Sequence, residues 1–272
     1  MIIFYNKSMN ILSMNRVAFT IFGVDIYWYG VIISSAILVA YVVSLFLAKM
    51  KHKDSEICFE LLIAIVPLGI AFARLFAVLF DEGLSIANYF DFRSGGMSII
   101  GAIFGGLIGL IILKFIKKRS IREAADLIVV VLILAQGIGR WGNYVNGEIY
   151  GELVENPDLQ FFPYSVLING SYYEALFFYE FVLDILGFIG LLIIYKHVNI
   201  KGVATASYLM YYGIIRAILE TRRATQFVLM IGSVPFSLLM SILMAVVGAG
   251  LLTWVLVKNF KDKKKMENTN GR

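Results

Sequence analysis

The chain is predicted to be an all-α integral membrane protein of about seven transmembrane helices with a small extracytoplasmic cap. Two observations carry that prediction. Of its 272 residues 60% are hydrophobic and only 16% charged, against about 45–50% apolar in a soluble domain, which excludes a water-soluble fold. Apolar runs also recur near 27–48, 57–80, 97–116, 124–139, 175–195, 203–221 and 234–257, and a bilayer core takes about 20 apolar residues per helix. Little is left over for a soluble domain, so residues 1–272 are read as a single membrane domain with an external cap at about 147–172 and a basic tail at 258–272.

Each run has its own signature. The first opens with Tyr27-Trp28-Tyr29, an interfacial aromatic belt in its simplest reading. The residues before it carry Lys7 and Arg16 but no apolar stretch ending in a small-residue cleavage site, so they are not expected to be a removable signal peptide. The second run holds Arg74 and the lone Cys58; one cysteine allows no intrachain disulfide and is read as a small buried hydrophobe. The third begins Gly95-Gly-Met-Ser98 and carries Gly101, Gly105 and Gly109 on one face. That ridge suits tight helix packing or, alternatively, a groove open to an acyl chain. Polar residues enter the ends of the fourth and sixth runs.

Basic residues sit on alternate sides of these runs. Lys49, Lys51 and Lys53 form one cluster, and Lys114, Lys117, Lys118, Arg119 and Arg122 the next. Lys196 and Lys201 follow, then the tail with Lys258, Lys261, Lys263, Lys264, Lys265 and Arg272. The positive-inside rule makes these segments cytoplasmic, with the N-terminus outside, the C-terminus inside and an odd number of spans. The net charge of +5 is then the cytoplasmic rim and calls for no nucleic acid. Acidic residues mark the outer loops: Asp81, Glu82 and Asp91 (beside Arg93), then Glu148, Glu152, Glu155 and Asp158. The external segment 147–172 is either a plain loop or, through Phe161, Phe162, Pro163 and Tyr164, a cap at headgroup level. The only histidines, His52 and His197, lie among lysines at the ends of runs, which argues against a histidine metal centre or a histidine base.

Charged groups at membrane depth usually face a bundle interior or mark a site. Here they are Arg74, Arg140, Glu180, Arg216 and Glu220, with Asp126 and Asp184 equally suited to helix-end or pairing roles. Arg216, Glu220 and Arg223 share one helix face by their spacing, and taken alone they fit a structural ion pair. The segment Gly137-Ile-Gly-Arg-Trp-Gly-Asn-Tyr-Val-Asn-Gly-Glu-Ile-Tyr-Gly151 is more specific. It gathers Arg140, Asn143, Asn146 and Glu148 among glycines at an outer boundary, where a span is expected to end in irregular backbone lining a polar pocket. Guanidinium is the bidentate partner of phosphate, so a lipid headgroup is the ligand these residues would suit.

The same residues, Gly139-Arg-Trp-Gly-Asn-Tyr-Val-Asn-Gly-Glu-Ile-Tyr-Gly151, closely resemble the signature of the bacterial prolipoprotein diacylglyceryl transferase family. The resemblance extends through Val17-Ala-Phe-Thr-Ile-Phe-Gly23, Trp28-Tyr-Gly30, the Arg74 segment, Gly95-Gly-Met-Ser98, Phe178-Tyr-Glu180 and Tyr212-Gly-Ile-Ile-Arg-Ala-Ile-Leu-Glu220; residues before about 14 look like an extension. It implies a seven-span enzyme of the bacterial cytoplasmic membrane. The implied reaction moves the diacylglyceryl group of phosphatidylglycerol to the lipobox cysteine of a prolipoprotein, forming a thioether and releasing glycerol phosphate. Carried over by motif position, Arg140 and Arg216 would bind the lipid phosphate. Asn143, Asn146 and Glu148 would shape the headgroup pocket, with Glu148 also a candidate catalytic group, and Gly151 would close its turn. Glu180, Glu220 and Arg223 would support them, and Tyr29 matches the family's tyrosine at the start of span one. No metal or organic cofactor is implied.

Two departures stand out. Ile100 holds the place of a histidine common in the third span of the family, and Ser171-Tyr-Tyr-Glu-Ala-Leu-Phe-Phe178 replaces a His-Pro element before the Tyr-Glu of span five. Loss of the thiol proton would then fall to Glu148, Glu174, a tyrosine or water, and turnover is expected to rise steeply with pH as the thiolate grows from a thiol with a pKa of about 8.5. The alternative is a non-catalytic or altered-specificity paralogue that binds anionic phospholipid. A transporter is disfavoured, because the spans show no convincing inverted repeat.

Overall fold

Seven long helices order the chain in the computed structural model, which describes residues 16–80, 84–90, 96–227, 230–231 and 234–270. The extension before residue 14 with Lys7, the outer-loop residues Asp81, Glu82, Asp91 and Arg93, Gly95, and Arg272 lie outside the described residues. The helices are α1 (Trp28–Met50), α2 (Glu56–Phe80), α3 (Ile99–Ile116), α4 (Ile121–Asn146), α5 (Leu176–His197), α6 (Val203–Glu220) and α7 (Phe236–Asn270). Three short antiparallel strand pairs accompany them among the described residues: β1 (Val17–Ile21) with β2 (Val24–Tyr27) before α1, β3 (Ser165–Ile168) with β4 (Ser171–Glu174) between α4 and α5, and β5 (Met230–Ile231) with β6 (Val234–Pro235) between α6 and α7.

The all-α membrane class stands. Five helices, α1, α2, α3, α5 and α7, are long and apolar enough to cross a bilayer. The other two, α4 and α6, match the length, and their polar residues belong to the site described below. Large apolar side chains such as Leu38, Phe46, Phe104, Leu243 and Val246 face outward, the inverse of a water-soluble surface and the expected one in lipid.

The chain packs as two compact units, one made of residues up to 40 together with 129 onward, the other of residues 41–128. Within the second unit α2 and α3 touch backbone to backbone. A Cβ on Gly101 or Gly105 would collide with the Phe72 or Leu68 carbonyl, and one on Gly109 would lie 2.7 Å from the Ala64 oxygen. The glycine ridge is therefore closed by α2, and the reading of that face as an open acyl groove is overturned. Arg74 is fully buried there, donating to the Tyr89 and Gly96 carbonyls at 3.3 and 2.8 Å. At the other end Arg119 joins Asp54 and Glu60 at 3.0 and 2.8 Å, and Lys117 reaches Glu60 at 3.4 Å. The Glu56 backbone N–H, and then Arg119, hold the Asp54 carboxyl below its usual range.

In the first unit α6 and α7 interlock through Gly213, which faces Ser241 and Ala245, and Gly248, which faces Leu209 and Met210. The segment 147–172, expected to be an external loop or cap, is structured. Asn169 and Gly170 both have positive φ, 50° and 84°, the requirement of a two-residue hairpin turn, and they join β3 to β4. Residues 151–154 run along β4, with Val154 N–H donating to the Tyr172 oxygen at 2.8 Å and Glu174 N–H to the Glu152 oxygen at 2.9 Å. Val166, Ile168 and Ala175 pack on Tyr144, Val145 and Phe177, with Trp141 and Phe162 alongside, which roots the cap on the ends of α4 and α5.

Helix α4 runs farther than expected. Asn143 and Asn146 lie within it, and only at Gly147, φ 66°, does the backbone turn away. The expectation that the fourth span ends at about Arg140, with irregular backbone beyond it, is therefore corrected. Gly139 and Gly142 are helical, and Gly142 gives up its Cβ to the Tyr29 ring, whose nearest atom would lie 2.8 Å from one.

Candidate functional site

Three helices of the first unit each present one polar face to the same interior. On α4 the face carries Gln136, Arg140 and Asn143; on α5, Glu180 and Asp184; on α6, Tyr208, Tyr212, Arg216 and Glu220. The spacings of three and four residues keep each set aligned. Arg140 Nε lies 2.5 Å from Glu180 Oε2, and Arg216 Nη1 meets the other oxygen of the same carboxylate. Arg216 Nη2 continues to Glu220 Oε2 at 3.0 Å, which Arg223 Nη1 also approaches at 3.4 Å. The result is a ladder, Arg140–Glu180–Arg216–Glu220–Arg223, whose side chains are between 0% and 15% exposed.

Its charges do not cancel. Three guanidiniums face two carboxylates, and an uncompensated buried charge is costly, so the ladder calls for one more negative charge, from a bound anion or from a neighbouring carboxylate. Burial, and then the neighbouring Arg216, pull the Arg223 guanidinium below its usual value, with Glu220 opposing. Tyr212 accepts from Arg140 Nη2 at 3.2 Å and stacks on Tyr208, which in turn donates to Gln136 Oε1 at 3.2 Å.

A second cluster closes over the end of α4. Glu148 Oε1 accepts from Asn143 Nδ2 at 3.2 Å and from Asn146 Nδ2 at 3.1 Å, while Glu148 N–H donates to the Asn143 carbonyl at 3.0 Å. The positive φ of Gly147 folds the chain back for this contact. Arg16 caps the Asn146 carbonyl at 2.9 Å. Tyr29, seated on Gly142, lies within electrostatic reach of both Glu148 and Arg140, which links the two clusters.

Gly151 ties the cap to the segment after α6. It pairs with Arg223 in an antiparallel bridge and donates to the Glu174 carbonyl at 3.0 Å. A Cβ there would come within 2.7 Å of Glu174 Cβ and 3.1 Å of the Arg222 oxygen, so only glycine fits. Glu174 Oε1 accepts from Arg222 at 2.9 Å, and its Oε2 is buried without a hydrogen-bond partner among the described residues. Burial pushes this carboxyl above its usual range, Arg222 partly opposing and Glu152 adding.

The residues singled out from the sequence thus converge. Arg140, Glu180, Arg216, Glu220 and Arg223 form one ladder, Asn143, Asn146 and Glu148 the adjoining cluster, with Tyr29 and Gly151 in contact. Arg74 and Ile100 belong to the other unit, Arg74 spent on loop carbonyls and Ile100 exposed in the first turn of α3. Sequence reasoning passed over Tyr212 and Gln136, although each lies four residues before an arginine of the ladder. Asp184 was a further candidate from the sequence, equally suited to a helix-end or pairing role.

The chain is similar in sequence to known proteins. The family model described as Prolipoprotein diacylglyceryl transferase matches residues 16–254. A Listeria innocua protein named phosphatidylglycerol--prolipoprotein diacylglyceryl transferase is 34% identical over 254 residues, covering 90% of this chain and 91% of its own. Proteins of the same name from Finegoldia magna and Clostridioides difficile are 34% and 29% identical, covering 90% and 94% of this chain and 96% and 98% of theirs. With a matched region that contains every residue of both clusters, the chain belongs to the prolipoprotein diacylglyceryl transferase family.

Proposed function

We propose that this protein transfers the diacylglyceryl group of phosphatidylglycerol to the lipobox cysteine thiol of a prolipoprotein. The observation that carries the reading is the convergence of Arg140 and Arg216 on the two oxygens of Glu180, in a buried ladder with one more cation than anions. Two guanidiniums held that way present their remaining N–H groups in fixed geometry, and a phosphodiester is the anion whose oxygens match them.

In the reaction the thiol gives its proton to Glu148 or to water, and the thiolate sulfur attacks the glyceryl carbon bonded to the phosphate oxygen. The S–C bond forms as that C–O bond breaks, and glycerol phosphate departs with the electron pair. Arg140 and Arg216 oppose the charge that grows on the leaving phosphate, the kind of preorganised stabilisation that outweighs most other catalytic terms. Glu180 and Glu220 hold the arginines in register, with Arg223 at the end of the ladder. Asn143, Asn146 and Glu148 offer donors and an acceptor to the glycerol headgroup, Tyr29 flanks them, and Gly151 gives the cap its close approach. The membrane carrying this activity is the bacterial cytoplasmic membrane, with cap and N-terminus outside and the tail 258–272 inside.

The test is transfer of labelled diacylglyceryl from phosphatidylglycerol to a lipobox peptide by the purified protein. Arg140→Ala and Arg216→Ala are each expected to lower kcat/KM by about 10²–10³-fold. Full-rate transfer by either variant overturns the assignment.

A further inference from the structure

The buried charges around the ladder extend beyond it. Asp184 follows Glu180 by one helical turn on the same face of α5, is 1% exposed, and has its Oδ2 buried with no hydrogen-bond partner among the described residues. Its electrostatic neighbours come from three helices: Arg140 on α4, Glu180 on α5, and Tyr208, Tyr211, Tyr212 and Arg216 on α6. Gly137, one turn before Arg140, allows the approach, since a Cβ at that position would lie 3.1 Å from Asp184 Cβ. The reaction proposed above makes no use of this carboxyl.

Charge counting gives it a task. An ionised Asp184 cancels the surplus cation of the ladder, so the empty cluster is neutral. A phosphodiester entering that neutral cluster would leave a buried net negative charge, the situation low-dielectric interiors disfavour. A protonated Asp184 removes the problem, because the ladder's surplus cation is then met by the phosphate alone. Glu148 stands outside this count, half-buried and held by Asn143 and Asn146.

We propose that Asp184 is a positioning residue that takes up one proton from solvent as a phosphodiester binds and returns it when the site empties, keeping the buried cluster neutral in both states. The proton adds to a carboxylate oxygen and no other bond changes. This inference rests on the reading of the ladder as a phosphate site. Its signature is linkage: where Asp184 is ionised in the empty site, affinity falls about tenfold for each pH unit gained, because one proton accompanies each lipid. That trend is opposite to thiolate formation, which raises turnover with pH, so binding and not turnover is the quantity to measure.

The experiment titrates the full-length protein in a neutral maltoside micelle with short-chain phosphatidylglycerol across pH, by calorimetry in buffers of different ionisation enthalpy. The wild type is expected to take up about one proton per lipid on the alkaline side, with affinity declining. Asp184→Asn should bind with pH-independent affinity and no proton uptake, and Asp184→Glu should restore the coupling. A pocket-lining role without titration would leave the wild-type and Asn profiles parallel, which overturns the proposal. Wild-type binding that is flat in pH and free of proton uptake does so without any variant. Failure of the wild type to bind phosphatidylglycerol at any pH instead removes the phosphate site itself, and the inference with it.

Discussion

Glu180 is the residue on which the site turns, since its two oxygens hold guanidiniums from two different helices. Removing one partner of a buried pair leaves the others uncompensated and costs about 3–5 kcal/mol. Glu180→Gln is therefore expected to lower the thermal unfolding temperature in detergent and to lower transfer at the same time, while a Gln variant of unchanged stability would show that the arginines are held by other groups. Glu174 makes a different prediction. Its carboxyl sits above its usual range in the folded protein, so the fold binds its proton more tightly than the unfolded chain does. The stability it contributes is complete below the ordinary carboxylate pKa of about 4.3 and is lost as pH rises through the raised value. Thermal unfolding followed across that window should fall with pH in the wild type and less so in Glu174→Gln; parallel curves would exclude the contribution. Arg140, Glu180, Arg216 and Glu220 were legible in the sequence because a charge within an apolar run demands a reason. Tyr212 was not, because a tyrosine in a membrane helix is ordinary until the neighbour that donates to it is known. Asp184 was seen, but its burial depends on which helix lies opposite, and no spacing within one helix reveals that.

Apolar runs of spanning length made the seven long elements legible, and their termini less so. Helix α4 outruns its apolar stretch because Arg140, Asn143 and Asn146 find partners inside the unit, so polarity there signals a site and not a helix end. The β3–β4 hairpin had a readable cue in Asn169-Gly170, whose φ values favour that turn, yet four-residue strands fall below what alternation can announce. The glycines of α3 were read correctly as candidates for close packing, and only the structure tells which faces meet. Gly105 lies against the Leu68 carbonyl, whereas Gly106 has its nearest neighbour, Ile65 Cγ2, at 3.5 Å, an ordinary contact distance. Gly105→Ala should then destabilise the α2–α3 pair by about 1–3 kcal/mol through overpacking, and Gly106→Ala should be tolerated. Equal unfolding temperatures for the two variants would contradict the backbone contact.

At the scale of the whole molecule the apolar exterior and the polar interior of the first unit are two sides of one constraint. Five helices show their membrane character in composition, while α4 and α6 trade apolar residues for the ladder and depend on their neighbours to shield it. A strict hydropathy criterion therefore admits only five of the seven helices as spans, and the distribution of basic residues is the evidence that bears on the other two. If all seven helices cross, the basic loops and the tail share one side and the cap lies on the other. The lone cysteine, buried Cys58, makes this testable, since Cys58→Ala provides a background without thiols. In that background single cysteines replacing Lys51, Lys118, Lys201 and Lys263 should resist a membrane-impermeant maleimide added to intact cells and react after permeabilisation. A cysteine replacing Glu155 in the cap should react in intact cells. If α4 and α6 failed to cross, Lys51 and Lys118 would keep one side while the cap at Glu155 joined them, since only α4 separates Lys118 from it; labelling of Glu155 and Lys118 under the same condition would thus reject seven spans.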